Sequence, residues 1–208
     1  MRIVDLSVAI ENRMDVYPGD SEVEIGKTSE IDTEGYTLSI MSFGSHTGTH
    51  VDLPLHCIKG GKDTASMPLD SFFGHAVMFE AHDTLKPVEI SEEDIKRIKK
   101  GDIVMIYTGW GSKLGSDEYF ENIHGISMEL AEKLIKKGIK AIGTDMPSVD
   151  KDGEGIVHRL LLSHDIVVFE CLVKLNEIGS ERFEFFGLPL KIKEGDGCPV
   201  RAIAIINN

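Results

Sequence analysis

Residues 91–107 read S-E-E-D-I-K-R-I-K-K-G-D-I-V-M-I-Y, and this segment predicts a capped helix that leads into a buried strand. Ser91 is a typical N-cap residue, and the three acidic residues after it lie where the helix dipole favours negative charge. The lysines before Gly101 form a cationic end, and glycine commonly follows a helix C-terminus. The apolar run at 103–107 is typical of a buried strand. The segment therefore favours an α/β fold.

The flanking sequence predicts strands before this segment and helix–strand pairs after it. Further helices are predicted at residues 127–137, ending at Gly138, and at 155–163. A β-rich start followed by β-α-β units predicts a mixed, mostly antiparallel sheet or barrel-like β core flanked by helices. The predicted strands are 2–7, 22–31, 36–43, 75–81, 103–107, 139–143, 166–169, 182–192 and 200–206.

Length and composition favour one globular domain over residues 1–208. The net charge is −13 at pH 7, and such a field repels phosphate backbones and anionic lipids, so neither nucleic-acid nor membrane partners are expected. The sequence lacks the apolar core of a secretory signal and any run of about 18 apolar residues, which favours the cytoplasm. Three widely spaced cysteines argue against a disulfide framework and a thiolate zinc site.

Three histidines and an aspartate fall within residues 46–56, H-T-G-T-H-V-D-L-P-L-H. Gly48, Pro54 and the β-branched residues make this stretch a poor helix, so an extended or irregular backbone is predicted. Residues of the same parity share a face in an extended chain. Convergence there would suit a divalent ion such as Zn, Mn or Fe with an open position for water. The four same-parity groups are His46, His50, Asp52 and His56.

A second candidate segment, residues 158–170, reads H-R-L-L-L-S-H-D-I-V-V-F-E. His158 and His164 are both candidates to join the first group from a predicted helix. Glu170 ends a buried apolar strand, where an unpaired carboxylate is costly, so we expect it to face a cation.

The residue chemistry leaves two other functions open. His50 and Asp52 with a distant histidine could form the facial triad of a non-haem iron oxygenase, although His46 and His56 would then have no role. A metal-stabilised binding protein with a closed coordination sphere is the second alternative.

The histidine-rich stretch resembles the H-x-G-T-H-x-D-x-P-x-H signature of the cyclase family of metal-dependent hydrolases, which includes bacterial kynurenine formamidase (arylformamidase) and isatin hydrolase. The resemblance covers nearly the whole chain. Its other landmarks are D-L-S at 5–7, Y-P-G-D at 17–20, T-G-W at 108–110, G-T-D-M-P-S-V-D at 143–150, H-R-L-L-L at 158–162 and G-C-P-V-R-A at 197–202.

The resemblance implies a barrel-like sheet flanked by helices, of the swivelling β/β/α type, and a homodimer or homotetramer. It also implies one or two divalent ions per subunit, with zinc favoured and manganese possible in its place. His56 matches the position of the family's catalytic acid and base. The positions that match the family's ligands are His46, His50 and Asp52 for one ion, and Asp52, His158 and Glu170 for a second.

We therefore expect a metal-dependent amidohydrolase that directs activated water at a C–N amide bond. The expected small-molecule substrate is an aryl formamide such as N-formylkynurenine, which would give kynurenine and formate. A cyclic amide or imide resembling isatin, or a lactone or ester, stays open. A free imidazole titrates near neutrality, so His56 can take a proton from water and pass it to the leaving amine.

Overall fold

Nine strands form one curled, half-barrel sheet in the computed structural model, which describes residues 1–83, 85–151 and 154–207. In chain order the described strands are β1 (Arg2–Asp5), β2 (Glu24–Ser29), β3 (Leu38–Ser42), β4 (His50–Asp52), β5 (Phe73–Glu80), β6 (Ile103–Tyr107), β7 (Ala141–Thr144), β8 (Val167–Glu170), β9 (Arg182–Phe186), β10 (Gly197–Pro199) and β11 (Ile203–Ile206). The order across the sheet is β1-β11-β9-β5-β6-β7-β8-β4-β10, while β2 and β3 pair with each other.

The sheet is mixed, as the sequence predicts. Of the eight ladders that its described strands form, five are antiparallel. The three parallel ladders join β5, β6, β7 and β8, which are the strands separated by helices. A parallel neighbour needs a crossover connection, and helices supply it here. The fold class is therefore confirmed.

The structure describes five α-helices. They are α1 (Ile31–Glu34), α2 (Pro54–Cys57), α3 (Glu92–Arg97), α4 (Met128–Lys137) and α5 (Ile156–Leu162). Three of them, α3, α4 and α5, pack against one face of the nine-stranded sheet. Among the described residues no helix combines the length and apolar character needed to cross a bilayer.

The helix caps agree closely with the sequence, with one exception. The Ser91 hydroxyl accepts from the amide of Asp94 at the start of α3, and Ser127 caps α4 in the same way. Gly138 ends α4 in the left-handed conformation, with φ 71°. Helix α3 ends before the predicted Gly101, because Ile98 is already extended and buried. The helix therefore ends at Arg97, where the extended backbone of Ile98 lets this apolar side chain be buried, and the following lysines lie outside it.

Strand β6 shows why the central sheet is stable. Val104 and Ile106 pack on the helical side, whereas Ile103 and Met105 pack inside the curl, and all four are fully buried. Each buried aliphatic side chain contributes about 1.5–3 kcal/mol relative to an exposed one. The predicted strand, buried on both faces, is confirmed and forms the centre of the frame that carries the functional side chains.

The predicted strand 182–192 is shorter in the structure. Strand β9 stops at Phe186, where the chain continues through Gly187 and Pro189. Glycine weakens a strand and proline cannot donate to a ladder, so the sheet ends at this point.

Strands β2 and β3 form a separate hairpin with α1 at its tip. Gly35 closes the tip with φ 77°, in the left-handed region that favours glycine. Every residue from 31 to 43 is exposed. Exposed apolar side chains in this segment are Ile31, Tyr36, Leu38, Ile40, Met41 and Phe43.

Candidate metal centre

Strand β4 places two of the sequence-predicted groups on one face. His50 lies directly opposite Glu170 in the ladder with β8, and Asp52 follows two residues later on the same face. Nε2 of His50 is 3.2 Å from Oδ1 of Asp52 and 3.5 Å from Oε2 of Glu170. The alternation of side chains along β4 and its pairing with β8 therefore bring these three groups together.

Helix α5 supplies His158 from the other side of the same point. Its Nε2 lies 3.1 Å from Oδ2 of Asp52 and 3.1 Å from Oε1 of Glu170. His164, the other candidate, is exposed beyond α5, and its Nδ1 lies 2.9 Å from the Leu160 carbonyl oxygen. The structure therefore brings His158, and not His164, to the first group.

His46 and His56 approach the group from the chain on either side of β4. Nδ1 of His46 is 2.7 Å from Oδ1 of Asp52. The His56 ring lies 4.2 Å from the His46 ring and 5.9 Å from the His158 ring, centroid to centroid. His56 sits on α2 rather than on an extended backbone as predicted, because Pro54 occupies the first turn, where its missing N–H costs nothing.

Among the described residues, three sets of donor atoms have the spacing that an ion would require, and two of these sets share Asp52. Within each set the atoms lie within 4.8 Å of one another. Donors about 2.0–2.2 Å from a zinc ion are separated by only about 3–4 Å, so small side-chain shifts would close the sphere. Neutral imidazoles with carboxylates suit a borderline divalent ion. The two donor sets that share Asp52 are His46, His50 and Asp52, and Asp52, His158 and Glu170; the third set is His46, His56 and Asp196.

Burial supports the same fit. Asp52 is 1% exposed and Glu170 is 4% exposed, so two carboxylates are buried against each other and against imidazoles. Paired carboxylates are costly inside a protein unless positive charge lies between them. A divalent cation would provide that charge.

In His46, His50 and His158, the ring nitrogen that points away from the donor set also has a hydrogen-bonding partner. Such contacts fix the orientation and tautomer of a ligating ring. Nδ1 of His50 is 2.8 Å from the Gly48 carbonyl oxygen. Two further carboxylates hold the other two rings. Oδ2 of Asp150 lies 2.6 Å from Nδ1 of His158, and Oδ2 of Asp196 lies 2.9 Å from Nε2 of His46.

Asp150 is one of two functional residues that the sequence predictions missed. Its carboxylate accepts from the backbone amides of Val157 and His158, at 2.7 and 2.9 Å, and so fixes the start of α5. The same carboxylate holds the His158 ring. Its position at the end of G-T-D-M-P-S-V-D was the available signal.

Asp196 is the second missed residue. Its Oδ2 accepts from His46 and lies 3.3 Å from Nδ1 of His56, so it connects the two rings. Gly197 beside it allows a close approach, since a Cβ there would lie 2.6 Å from Cε1 of His46. The G-D-G turn before Cys198 was the signal in the sequence.

The pKa values describe the centre before a cation binds. Burial opposes the charged form of His46, but hydrogen bonds to Asp196 and Asp52 outweigh it and raise the pKa of His46 to about 9. Burial likewise opposes charge on His50 and His158, yet the facing carboxylates raise the pKa of both rings well above the usual value. Protons therefore occupy the positions that a metal would take.

We expect the metal-free protein to become less stable as the pH rises from 6.5 to about 9. His46 has a pKa of about 9 in the folded state and about 6.5 in the unfolded chain, so its stabilising effect is complete below 6.5 and lost as the pH passes 9. Metal needs the deprotonated ring, so metal affinity should rise over the same interval. Urea unfolding with a chelator, and with added zinc, measures both trends. The variant His164→Gln should keep them, and a metal-free stability that is flat or rises with pH would contradict the prediction.

A single cavity borders both donor sets and His56. Its apolar wall includes Met14, Tyr17, Leu114 and Phe120. The rings of Tyr17 and Phe120 meet edge to face with centroids 5.9 Å apart. The centre is therefore open to a small molecule with an apolar portion.

Comparisons with known proteins agree with this geometry. The Cyclase family model matches residues 4–151. A kynurenine formamidase of Erythrobacter litoralis is 35% identical over 97% of this chain and 93% of its own length. The solved structure of isatin hydrolase A from Labrenzia aggregata, bound to benzyl benzoate, has a TM-score of 0.86 at 24% identity and covers 100% of this chain and 94% of that one. A structure described as a potential metal-dependent hydrolase with cyclase activity has a TM-score of 0.78 at 25% identity, covering 98% and 96%.

The relatives and the donor sets together show a hydrolase that acts on non-peptide C–N bonds with a divalent metal. The chain therefore belongs to the cyclase family of metal-dependent amide hydrolases.

Proposed function

We propose that residues 1–208 form one catalytic domain that hydrolyses an aryl formamide, with N-formylkynurenine as the first candidate, to an aryl amine and formate. The observation that carries this proposal is the convergence of three imidazoles and two carboxylates beside His56 in an apolar-walled cavity. The name of the related Erythrobacter litoralis protein supports the choice of substrate.

In this proposal Asp52 would contribute ligand oxygens to both donor sets that contain it. His46 and His50 complete one set of ligands, while His158 and Glu170 complete the other. Three imidazoles favour zinc over manganese, which prefers oxygen ligands. A divalent ion held by these residues would lower the pKa of water towards neutrality and would polarise an amide carbonyl.

His56 is the proposed acid and base. Asp196 engages its Nδ1, so Nε2 is the nitrogen available for proton transfer. The ring takes a proton as the new C–O bond forms and delivers it to the amide nitrogen as the C–N bond breaks. At 35% side-chain exposure it can also exchange protons with solvent.

The cavity wall supports an aromatic substrate. Tyr17 and Phe120 already pair edge to face, an arrangement that a further ring can extend. Met14 adds an adaptable apolar surface beside them. We place the aryl ring against this wall, with the formyl group directed towards Asp52.

Hydrolysis of formanilide by the zinc- or manganese-loaded enzyme tests the function. We expect equimolar formate and aniline, and no product after chelation. Isatin, a cyclic imide, a lactone and a simple ester serve as competing substrates. Turnover of one of these without release of formate from any aryl formamide would replace the proposed function with the corresponding alternative.

The three cysteines are unpaired, which is the usual state in the cytoplasm, and we place the enzyme there. The exposed apolar residues of the β2–β3 hairpin support a homodimer or homotetramer. A hairpin alone is marginally stable in water, and contiguous apolar surface of this kind marks a protein interface.

Ile40→Glu is expected to shift the assembly to monomer. Ile40 is 63% exposed on β3, so the change should spare the fold while placing a charge in the proposed interface. Light scattering coupled to gel filtration measures the mass. The control Leu85→Glu introduces the same charge at an apolar side chain that is 88% exposed outside the hairpin, and it should leave the mass unchanged. An unaltered mass in Ile40→Glu would place the interface elsewhere.

A further inference from the structure

The described lining of the cavity that borders the metal centre contains carboxylates and the histidines of the centre, but neither lysine nor arginine. Asp15 and Asp20 line the cavity together with its apolar wall. Both aspartates are exposed. A charged substituent on a substrate held against the apolar wall would therefore lie beside the carboxylates of Asp15 and Asp20.

The turn Y-P-G-D positions one of these carboxylates beside the aryl-binding wall. The Asp20 amide donates to the Tyr17 carbonyl oxygen at 2.9 Å, which closes the turn. Tyr17 in turn contacts Phe120. Asp15 lies two residues before Tyr17 and also lines the cavity. The two carboxylates thus lie on the same loop as the ring that would hold the aryl group.

Bound ions do not reverse the local charge. Six carboxylates line the cavity or contact its histidines, whereas two divalent ions would bring four positive charges. Neutral imidazoles carry no charge, so they do not change this balance of negative and positive charge. The acidic groups are Asp15, Asp20, Asp52, Asp150, Glu170 and Asp196.

Two cations close to the cavity in sequence or space have partners of their own. Nζ of Lys113 lies 3.9 Å from the centre of the Trp110 ring. Nη2 of Arg159 donates to the Glu154 carbonyl oxygen at 3.0 Å, and its Nη1 lies 3.4 Å from where a Cβ of the lining residue Gly155 would be, so Arg159 is the cation that the substrate test must exclude. The hairpin of a second copy would not supply positive charge either, because residues 24–42 hold four acidic residues and one lysine.

We propose that this site selects aryl formamides whose side chain carries an ammonium group, and that Asp15 and Asp20 bind that group. A carboxylate on the substrate is not used for binding. The inference rests on the proposed formamidase function and narrows its substrate class. For N-formylkynurenine it means that the amine, and not the acid, is recognised.

Four matched substrates separate these contributions. All carry a 2-formamidophenyl ketone, and they differ in the side chain: N-formylkynurenine with both charges, its decarboxylated analogue with the amine alone, its deaminated analogue with the acid alone, and 1-(2-formamidophenyl)propan-1-one with neither. We expect kcat/KM of the amine to exceed that of the neutral compound by about tenfold at low salt, and that of the acid to be the lowest. The advantage of the amine should shrink as salt is added.

The double variant Asp15→Asn/Asp20→Asn should bring the amine-to-neutral ratio to within about twofold. Asp70→Asn removes an exposed carboxylate outside the cavity and should keep the ratio. Arg159→Gln should also keep it, because this guanidinium is not used for substrate binding.

The inference would be overturned if the acid were the better substrate, or if Arg159→Gln selectively impaired the substrates that carry a carboxylate. Equal ratios in the wild type and the double variant would remove the assigned role of the two aspartates. Failure of the proposed function is a different result, since none of the four compounds, the neutral one included, would then release formate.

Discussion

Asp52→Asn is expected to abolish metal binding and to lower activity by more than about 100-fold. Loss of an outer partner of a metal ligand alone costs about 10–100-fold, and Asp52 is the residue common to both donor sets. Its two oxygens lie 2.7 Å from His46 and 3.1 Å from His158, so one amide nitrogen necessarily replaces a donor in one set. Metal content by elemental analysis and turnover of formanilide measure the two effects.

Glu170→Gln is the matched comparison. Glu170 belongs to the set with His158 only, so this variant should lose one ion and keep the one held by His46 and His50. Circular dichroism of the metal-free variants separates lost binding from lost folding. An Asp52→Asn protein that folds and retains both ions would contradict the assignment of Asp52 as the bridging group.

Local chemistry explains which parts of the fold could be predicted from the sequence. The caps at Ser91 and Ser127 depend on the first turn of a helix, and both are read from adjacent residues. The order of strands depends on distant partners. Strand β4 has only three residues and pairs with β8 and β10. Its sequence does not show the apolar pattern of a core strand, because His50 and Asp52 occupy a face that would otherwise be apolar.

Within the site, too, features set by adjacent residues could be predicted, whereas the partners in contacts between distant residues could not. The approach of Glu170 to groups that can carry positive charge could be predicted, because a carboxylate at the end of a buried strand needs a compensating charge. The sequence motifs that contain Asp150 and Asp196 do not show which ring each carboxylate holds, since only the tertiary fold brings His158 and His46 near them. The short helix that contains His56 departs from the predicted extended backbone because proline, which breaks a helix interior, is well tolerated in a first turn.

His56→Ala is expected to lower kcat by about 10²–10⁴-fold while the metal content stays intact. This is the usual contribution of a general acid and base, and His56 belongs to neither set of donors that share Asp52. Asp196→Asn should have a smaller effect, of about tenfold, because it loosens the contact at Nδ1 without removing the ring. His164→Ala, at an exposed ring away from the centre, is the control and should keep full activity.

The kinetic signature distinguishes proton transfer from substrate binding. If His56 moves the proton, kcat should fall with little change in KM, and aryl formamides with better leaving groups should be less affected, since their nitrogen needs less assistance in the transition state. A loss that is uniform across leaving groups, with zinc retained, would instead assign His56 to holding the substrate. Full activity of His56→Ala would remove it from the reaction, and the proton would then have to pass through another group that borders the cavity.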